Sequence, residues 1–170
     1  HCFMPSVQDV DQIESSKSMD MMAVNVYHGQ QDQLTGNEIA FAGDYFRSVK
    51  NGLNYLITET NAQTIGWNSR IQQPPYPGQL RQNVYAHLGS GANMVEYWHW
   101  HSIHYGQETF WKGVLSHDLQ PNRAYAEVTK TAQELQRIGK KLVNLKKENK
   151  VAILFSHDSN EALNFMPFDQ

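Results

Sequence analysis

Residues 54–67 read NYLITETNAQTIGW, and this stretch decides how the chain is expected to fold. The apolar run at 55–57 favours a β-strand, is too short for a buried helix, and follows the turn pair Asn-Gly at 51–52. It predicts a short buried strand with Glu59 at its carboxyl end. In parallel α/β folds the chemistry lies at that end of the strands, so Glu59 is a candidate to meet a substrate. A strand-end Glu that only caps a helix or pairs with a surface cation is the alternative.

Strands and helices are predicted to alternate along the whole chain, which indicates parallel strands joined by crossover helices. Too few strands are present to close an eight-stranded barrel. The predicted fold class is therefore α/β, a partial (β/α)8 TIM barrel corresponding to its second half. A small doubly wound sheet is the structural alternative, but no glycine-rich phosphate turn follows any predicted strand. The predicted strands cover 1–5, 19–29, 54–61, 92–102 and 151–155, and the predicted helices cover a segment from Asp9, 37–50 with Asn37 as its cap, 79–91, and about 123–147.

Aromatic and polar side chains concentrate after the carboxyl ends of these predicted strands. Aromatic faces pack on the C–H face of a pyranose, while carboxylates, amides and imidazoles bind its hydroxyls, so the set favours a sugar site. Burial in the barrel core is the alternative for any single aromatic residue. A metal site is disfavoured because alternation puts His99 and His101 on one strand face without a carboxylate. The candidates are Tyr27, His28, Glu59, Asn61, Trp67, Trp98, His99, Trp100, His101, His104, Tyr105, Glu108 and Trp111.

Composition excludes several other classes of function. A formal net charge of -3 gives no electrostatic reason to expect nucleic acid or an anionic membrane as a partner. The lysines at 140–150 alternate with apolar residues at helical spacing, which indicates a solvated helix face. The single cysteine, Cys2, excludes an intramolecular disulfide and a thiolate zinc site. No apolar run approaches the roughly 18 residues of a membrane span, and a cytoplasmic protein without a cofactor is expected.

Six pieces of the sequence carry a resemblance to a known family. The pattern is a Glu, a Trp eight residues later, Pro-Gly, a helix and then an aromatic YWHW strand. Together these pieces resemble the second half of the catalytic barrel of family 42 glycoside hydrolases, the beta-galactosidases, and the start of their second domain. They are HCFMP at 1–5, MMAVNVYHG at 21–29, LITETNAQTIGW at 56–67, PGQLRQNVYAHLGSGANMVEYWHW at 77–100, GQETFWKGVLSHD at 106–118 and VAILFSHDS at 151–159.

The resemblance implies a retaining glycosidase in which Glu59 is the nucleophile. It implies that Trp67 lines the galactose subsite and that Glu108 holds sugar hydroxyls. Two positions depart from the family pattern: Trp111 stands where a His is common, and His99 and His101 replace a strand Arg. With Tyr27, these residues complete the predicted substrate-binding set.

The resemblance also implies that the acid/base is missing from this chain. In the family that carboxyl belongs to an Asn-Glu pair after the fourth strand, and the pairs at 37–38 and 160–161 are not in a matching place. We therefore expect a fragment that is inactive alone, from a parent that hydrolyses beta-galactosides as a homo-oligomer, a trimer in the family. Residues 1–148 would be the half barrel, and residues 149–170 the first strand of a flavodoxin-like trimerisation domain. The alternatives are a non-catalytic carbohydrate-binding or assembly fragment, and a retaining glycosidase of another sugar specificity.

Overall fold

The computed structural model of the chain describes residues 7, 10–31, 35–64, 66 and 73–168. From residue 12 to residue 138, helices and strands alternate as the sequence predicts. The strands are β1 (Ala23–Asn25), β2 (Tyr55–Asn61) and β3 (Ala92–Trp98). The helices are α1 (Gln12–Ser16), α2 (Thr35–Val49), α3 (Gln79–Gly89), α4 (Arg123–Ile138) and α5 (His157–Phe165), with short 3-10 turns at Gln107–Phe110 and Gly139–Lys141.

The strands form one parallel sheet in the order β1-β2-β3, which confirms the prediction of a parallel α/β fold. In the register, Asn25 lies opposite Glu59 and Asn61 lies opposite Trp98. Because parallel strands share one direction, their carboxyl ends meet at the same edge of the sheet.

The hydrophobic core lies between the sheet and α2. Phe46 of α2 and Ile57 of β2 are fully buried there, together with Tyr55. Helix α2 approaches the end of α3 closely at Gly43, where a Cβ atom would lie 2.6 Å from the Cβ of Ser90. A larger residue at position 43 would therefore push α2 away from the end of α3.

Several predicted bounds differ from the structure. Helix α2 begins at Thr35, so Asn37 lies inside its first turn and is not the cap. Helix α1 begins at Gln12, because the Oδ1 atom of Asp11 accepts the backbone N–H groups of Ile13 and Glu14. The predicted strand at 19–29 is reduced to β1, and the one predicted at 1–5 lies outside the described residues.

Helix α4 ends at Ile138, nine residues before the predicted end. Asn144 has a left-handed backbone with a φ of 58°, which no α-helix can continue. It is fixed there by Asn93, whose Nδ2 donates to Asn144 Oδ1 and whose Oδ1 accepts Asn144 N–H, both at 2.8 Å. The apolar spacing continues beyond Ile138, but the tertiary hydrogen bonds override it.

The predicted strand at 151–155 is wrong in this structure. A strand needs a neighbour for its backbone groups, and no described strand pairs with these residues. Leu154 is 97% exposed, and only the ring of Phe155 makes an aromatic contact, 5.4 Å from Tyr45. The assignment of 149–170 to a second domain stays a prediction.

Two buried histidines lie side by side behind the sheet edge. His87 of α3 is fully buried, its two ring nitrogens have no hydrogen-bond partner among the described residues, and its ring centroid lies 5.7 Å from that of His28. Burial, and then the neighbouring His28, lower the pKa of His87 to about 3. Burial also lowers the pKa of His28.

These pKa values predict acid-sensitive stability. A histidine held neutral in the folded chain takes up a proton on unfolding once the pH is below 6.5. The free energy of unfolding should therefore decrease as the pH is lowered below 6.5, by up to about 1.4 kcal/mol per pH unit for each such histidine. In urea titrations between pH 6.5 and 4, His87→Leu should flatten this dependence, while Leu88→Ala should lower stability equally at every pH. An unchanged slope in His87→Leu would contradict the assignment.

The apolar residues beyond position 150 predict self-association of the isolated chain. Val151, Ile153, Leu154, Phe165 and Phe168 are each at least 81% exposed, a patch that soluble monomers rarely carry. Sedimentation velocity should show the mean mass rising with concentration.

The matched comparison uses added charge. The double variant Ile153→Lys/Leu154→Lys should shift the chain toward monomer, whereas Gln133→Lys/Gln136→Lys on the exposed side of α4 should not. A parent chain that stays monomeric over a hundredfold concentration range would refute the prediction.

Candidate active site

The carboxylate of Glu59 lies at the edge where the strands end. Its backbone carbonyl accepts the N–H of Val26 at 2.9 Å, which ties the end of β2 to the residues after β1. The side chain is half-buried, and the hydroxyl of Tyr27 donates to Glu59 Oε2 at 2.7 Å. A hydrogen bond to a charged oxygen in partial burial is stronger than a neutral one, so it fixes the orientation of the carboxylate.

An irregularity in the pairing of β1 and β2 produces this contact. Val24 pairs with Ile57, but Asn25 pairs with Glu59, so Thr58 is an extra residue on β2. The Thr58 hydroxyl lies 3.2 Å from both the Val24 carbonyl and Asn25 Oδ1, which stabilises the bulge. Bulges re-aim side chains at strand ends, and this one turns Glu59 toward Tyr27.

Trp111 supports Tyr27 from behind. The two rings meet edge to face with centroids 5.0 Å apart and an interplanar angle of 69°. Trp111 is only 7% exposed and directly follows the 3-10 turn at Gln107–Phe110. The structure therefore brings Tyr27, Glu59 and Trp111 together, and the buried Trp111 ring packs against the Tyr27 ring.

A second carboxylate, that of Glu108 in the 3-10 turn, lies beside the carboxyl end of β3. The indole N–H of Trp98 donates to Glu108 Oε2 at 3.2 Å. His99 follows Trp98 through a cis peptide bond and is half-buried. Burial lowers the pKa of His99, with Glu108 and the carbonyl of His101 acting more weakly in the opposite direction. A neutral imidazole beside a carboxylate can serve as donor or acceptor to a hydroxyl.

Three further predicted site residues, His99, Trp100 and His101, follow the end of β3. Strand β3 ends at Trp98, so His99 and His101 do not share a strand face as predicted. His101 is exposed and its Nδ1 lies 3.1 Å from the Ser102 carbonyl, while the exposed Trp100 packs on Tyr125. Trp67 lies outside the described residues.

The described residues hold no group of three or more His, Cys, Asp or Glu arranged to bind a metal ion. Nor does the described part of the chain include a helix long and apolar enough to cross a bilayer.

Three polar residues of this edge carry contacts that the sequence does not reveal. Asn61 makes two hydrogen bonds of 3.3 Å to the backbone N–H and carbonyl of His28. Gln63 and Thr64 bond to the segment around Trp111. The only sequence signal is that they belong to the polar run after the strand.

Comparison with known proteins gives one family. Its model, described as Beta-galactosidase of glycoside hydrolase family 42, matches residues 1–138. The beta-galactosidase BgaA of Clostridium cellulovorans is 31% identical over 128 residues, which are 75% of this chain and 19% of that protein. BgaB of a Geobacillus species is 27% identical over 158 residues, covering 92% of this chain and 23% of BgaB.

Solved structures share the fold. A catalytic mutant of Gan42B, a GH42 beta-galactosidase from G. stearothermophilus, matches 93% of this chain with a TM-score of 0.83 and 21% identity, over 24% of its own chain. The beta-galactosidase of Halorubrum lacusprofundi matches 98% with a TM-score of 0.82 and 24% identity, over 26% of its chain. The chain thus spans about a fifth to a quarter of the length of these relatives.

Proposed function

Because this chain belongs to glycoside hydrolase family 42, the beta-galactosidase family, we propose that it is part of a retaining beta-galactosidase and carries its nucleophile, Glu59. The observation that carries the proposal is the 2.7 Å hydrogen bond from the Tyr27 hydroxyl to the half-buried carboxylate of Glu59. It orients a carboxylate at the carboxyl end of a parallel strand, where this chemistry is performed in α/β barrels.

The reaction would proceed in two displacements. A Glu59 oxygen attacks the anomeric carbon of a terminal β-D-galactoside, the glycosidic C–O bond breaks, and the departing oxygen takes a proton from a second carboxyl. Water then attacks the galactosyl ester, giving its proton back to that second group. The Tyr27 hydroxyl holds Glu59 in place before attack, and this hydrogen bond weakens as the carboxylate loses its charge in the ester.

The acid/base is proposed to lie outside this chain. Retaining hydrolysis needs two carboxyls about 5 to 5.5 Å apart. Glu108 accepts the Trp98 N–H through one oxygen at 3.2 Å, and we assign it to binding sugar hydroxyls rather than to proton transfer. Glu38 is exposed in the first turn of α2 and accepts the N–H of Gly29 at 2.8 Å. The coverage of only about a quarter of the relatives supports a site completed by other parts of a longer protein.

The sugar contacts follow from the same arrangement. Glu108 and the neutral His99 are proposed to bind hydroxyls of the galactose ring. Trp111 packs against the Tyr27 ring, and Trp67 and His101 are proposed as further contacts. The three parallel strands of the described chain would form part of a (β/α)8 barrel. The exposed apolar residues after position 150 support a homo-oligomeric parent, and the proposal that it is a trimer rests on the family resemblance. A cytoplasmic location stays a prediction.

One observation favours a second candidate function, a non-catalytic carbohydrate-binding or assembly role. Trp100 is 59% exposed and Tyr105 is 82% exposed beyond the end of β3. Exposed aromatic rings bind sugar faces without any carboxylate. In that case Glu59 would be only a hydrogen-bond acceptor, and the following experiments separate the two functions.

Glu59→Gln in the full-length protein should lower turnover of an aryl beta-galactoside by about 10⁴-fold, because the amide cannot form the ester. A 2-deoxy-2-fluoro-galactosyl inhibitor should add one sugar mass to the parent protein at the peptide carrying Glu59, and none to the variant. The 170-residue chain alone should not be labelled.

The matched control is Glu108→Gln, which should mainly raise KM and still permit labelling at Glu59. Labelling at another carboxylate would refute the nucleophile assignment. If neither the chain nor the full-length protein is labelled, the binding function takes its place. A panel of aryl glucosides, fucosides and arabinosides would identify a different sugar specificity.

Tyr27→Phe should lower kcat/KM by about 10- to 100-fold, the effect of losing one hydrogen bond to a charged group. Tyr85→Phe is the matched control, since its hydroxyl also contacts a carboxylate, Glu134 at 3.3 Å, but on the outer helices. Steady-state kinetics should show parent-like values for Tyr85→Phe. Equal losses in both variants would show that Tyr27 acts through stability alone.

A further inference from the structure

Gln63 lies just beyond β2, four residues after Glu59, and its side chain points to the segment that carries Trp111. We propose that Gln63 is a positioning residue for the nucleophile: its amide fixes Trp111, which supports Tyr27, which orients Glu59. The role in catalysis rests on the proposed function, whereas the contact itself does not.

Residues 63 and 64 form hydrogen bonds with the backbone on both sides of Trp111. The Gln63 amide donates to the Gly113 carbonyl at 2.6 Å and lies 3.4 Å from Ser116 Oγ. The Thr64 carbonyl accepts the N–H of Lys112 at 3.1 Å, and its hydroxyl donates to the Phe110 carbonyl at 3.3 Å. The backbone immediately before and after Trp111 is therefore bonded to the strand extension that follows Glu59.

The hydrogen-bonded segment 110–113 has no room to shift independently of the residues after β3. A Cβ atom on Gly113 would lie 2.6 Å from the His99 carbonyl oxygen, so the backbone at 113 packs directly on the residues after β3. Val114 N–H donates to that same carbonyl at 2.8 Å, and Gly113 N–H donates to Ser102 Oγ at 3.1 Å. Gln63 is the side chain that joins this packed unit to the end of β2.

A third connection reaches the loop after β1. The amide of Gln30 donates to the Gln63 carbonyl at 3.2 Å, and Asn83 donates to Gln30 Oε1 at 3.4 Å. Gln63 thus contacts the loops after all three described strands. It is 9% exposed, so loss of its amide would leave the buried Gly113 carbonyl without this donor.

A small displacement at this point reaches the carboxylate through two contacts. Trp111 touches Tyr27 at 5.0 Å between centroids, and Tyr27 donates to Glu59 at 2.7 Å. A misplacement of about 1 Å at a reacting group can cost about 10²-fold in rate. Gln63 therefore affects the reaction without touching the substrate.

The experiment substitutes Gln63 in the full-length protein labelled with 5-fluorotryptophan. Gln63→Leu should shift the ¹⁹F resonance of Trp111, assigned by its loss in Trp111→Phe. It should lower kcat for an aryl beta-galactoside by about 10- to 100-fold, with KM changed much less. Thr64→Val, a milder change that removes only the hydroxyl, should move both readouts in the same direction by a smaller amount and serves if Gln63→Leu does not fold.

Gln79→Leu is the matched control. Gln79 is equally buried and bonds to the N–H groups of Gln31 and Tyr76, but not to residues 110–113. It should lower Tm to a similar extent without shifting the Trp111 resonance or kcat.

Each outcome decides the inference. A Trp111 resonance that is unmoved in Gln63→Leu, or a shifted resonance with parent-like kcat, would overturn the positioning role. Equal effects in Gln79→Leu would reduce Gln63 to a stability residue. Absence of galactoside turnover in the parent protein would refute the proposed function instead, and the Trp111 resonance would still show whether Gln63 fixes that ring.

Discussion

The pairing of β1 with β2 is the constraint on which the candidate site depends. Regular parallel pairing would have continued from Val24 and Ile57 to Asn25 and Thr58, but the bulge places Glu59 opposite Asn25. One inserted residue changes the face to which the following side chains point, so Tyr27 and Glu59 meet only because of it. The carboxylate is therefore oriented by backbone geometry first, and the phenol then holds it.

Much of this arrangement can be predicted from the sequence, because apolar periodicity determines which segments are buried. β2 and α3 lie close to their predicted bounds, whereas α2 begins two residues before its predicted start and β3 ends at Trp98, before its predicted end. The errors lie where tertiary contacts decide. The left-handed conformation of Asn144, which prevents a helix from reaching the predicted end at 147, is stabilised by hydrogen bonds with Asn93. The apolar run at 151–155 has no strand to pair with in the described chain. Local sequence contains neither fact.

In the site as well, some residues can be predicted from their type and others cannot. Glu59, Tyr27 and Glu108 were predicted from residue type and from their position after strands, and the structure places Glu59 and Tyr27 in contact. Gln63 was not predicted, because its partner is a backbone carbonyl 50 residues away. Any residue at position 113 presents the same carbonyl, so no side-chain pattern marks the contact.

The polar run at the end of β2 and just beyond it therefore has a physical reason. Buried polar groups are costly unless paired, and the members of this run pair with different neighbours: Thr60 with His28, Asn61 with the His28 backbone, and Gln63 with Gly113. Apolar side chains at these positions would pack as densely, but their contacts carry little directional preference. Because each hydrogen bond has a preferred length and angle, the network fixes the position of three loops relative to Glu59.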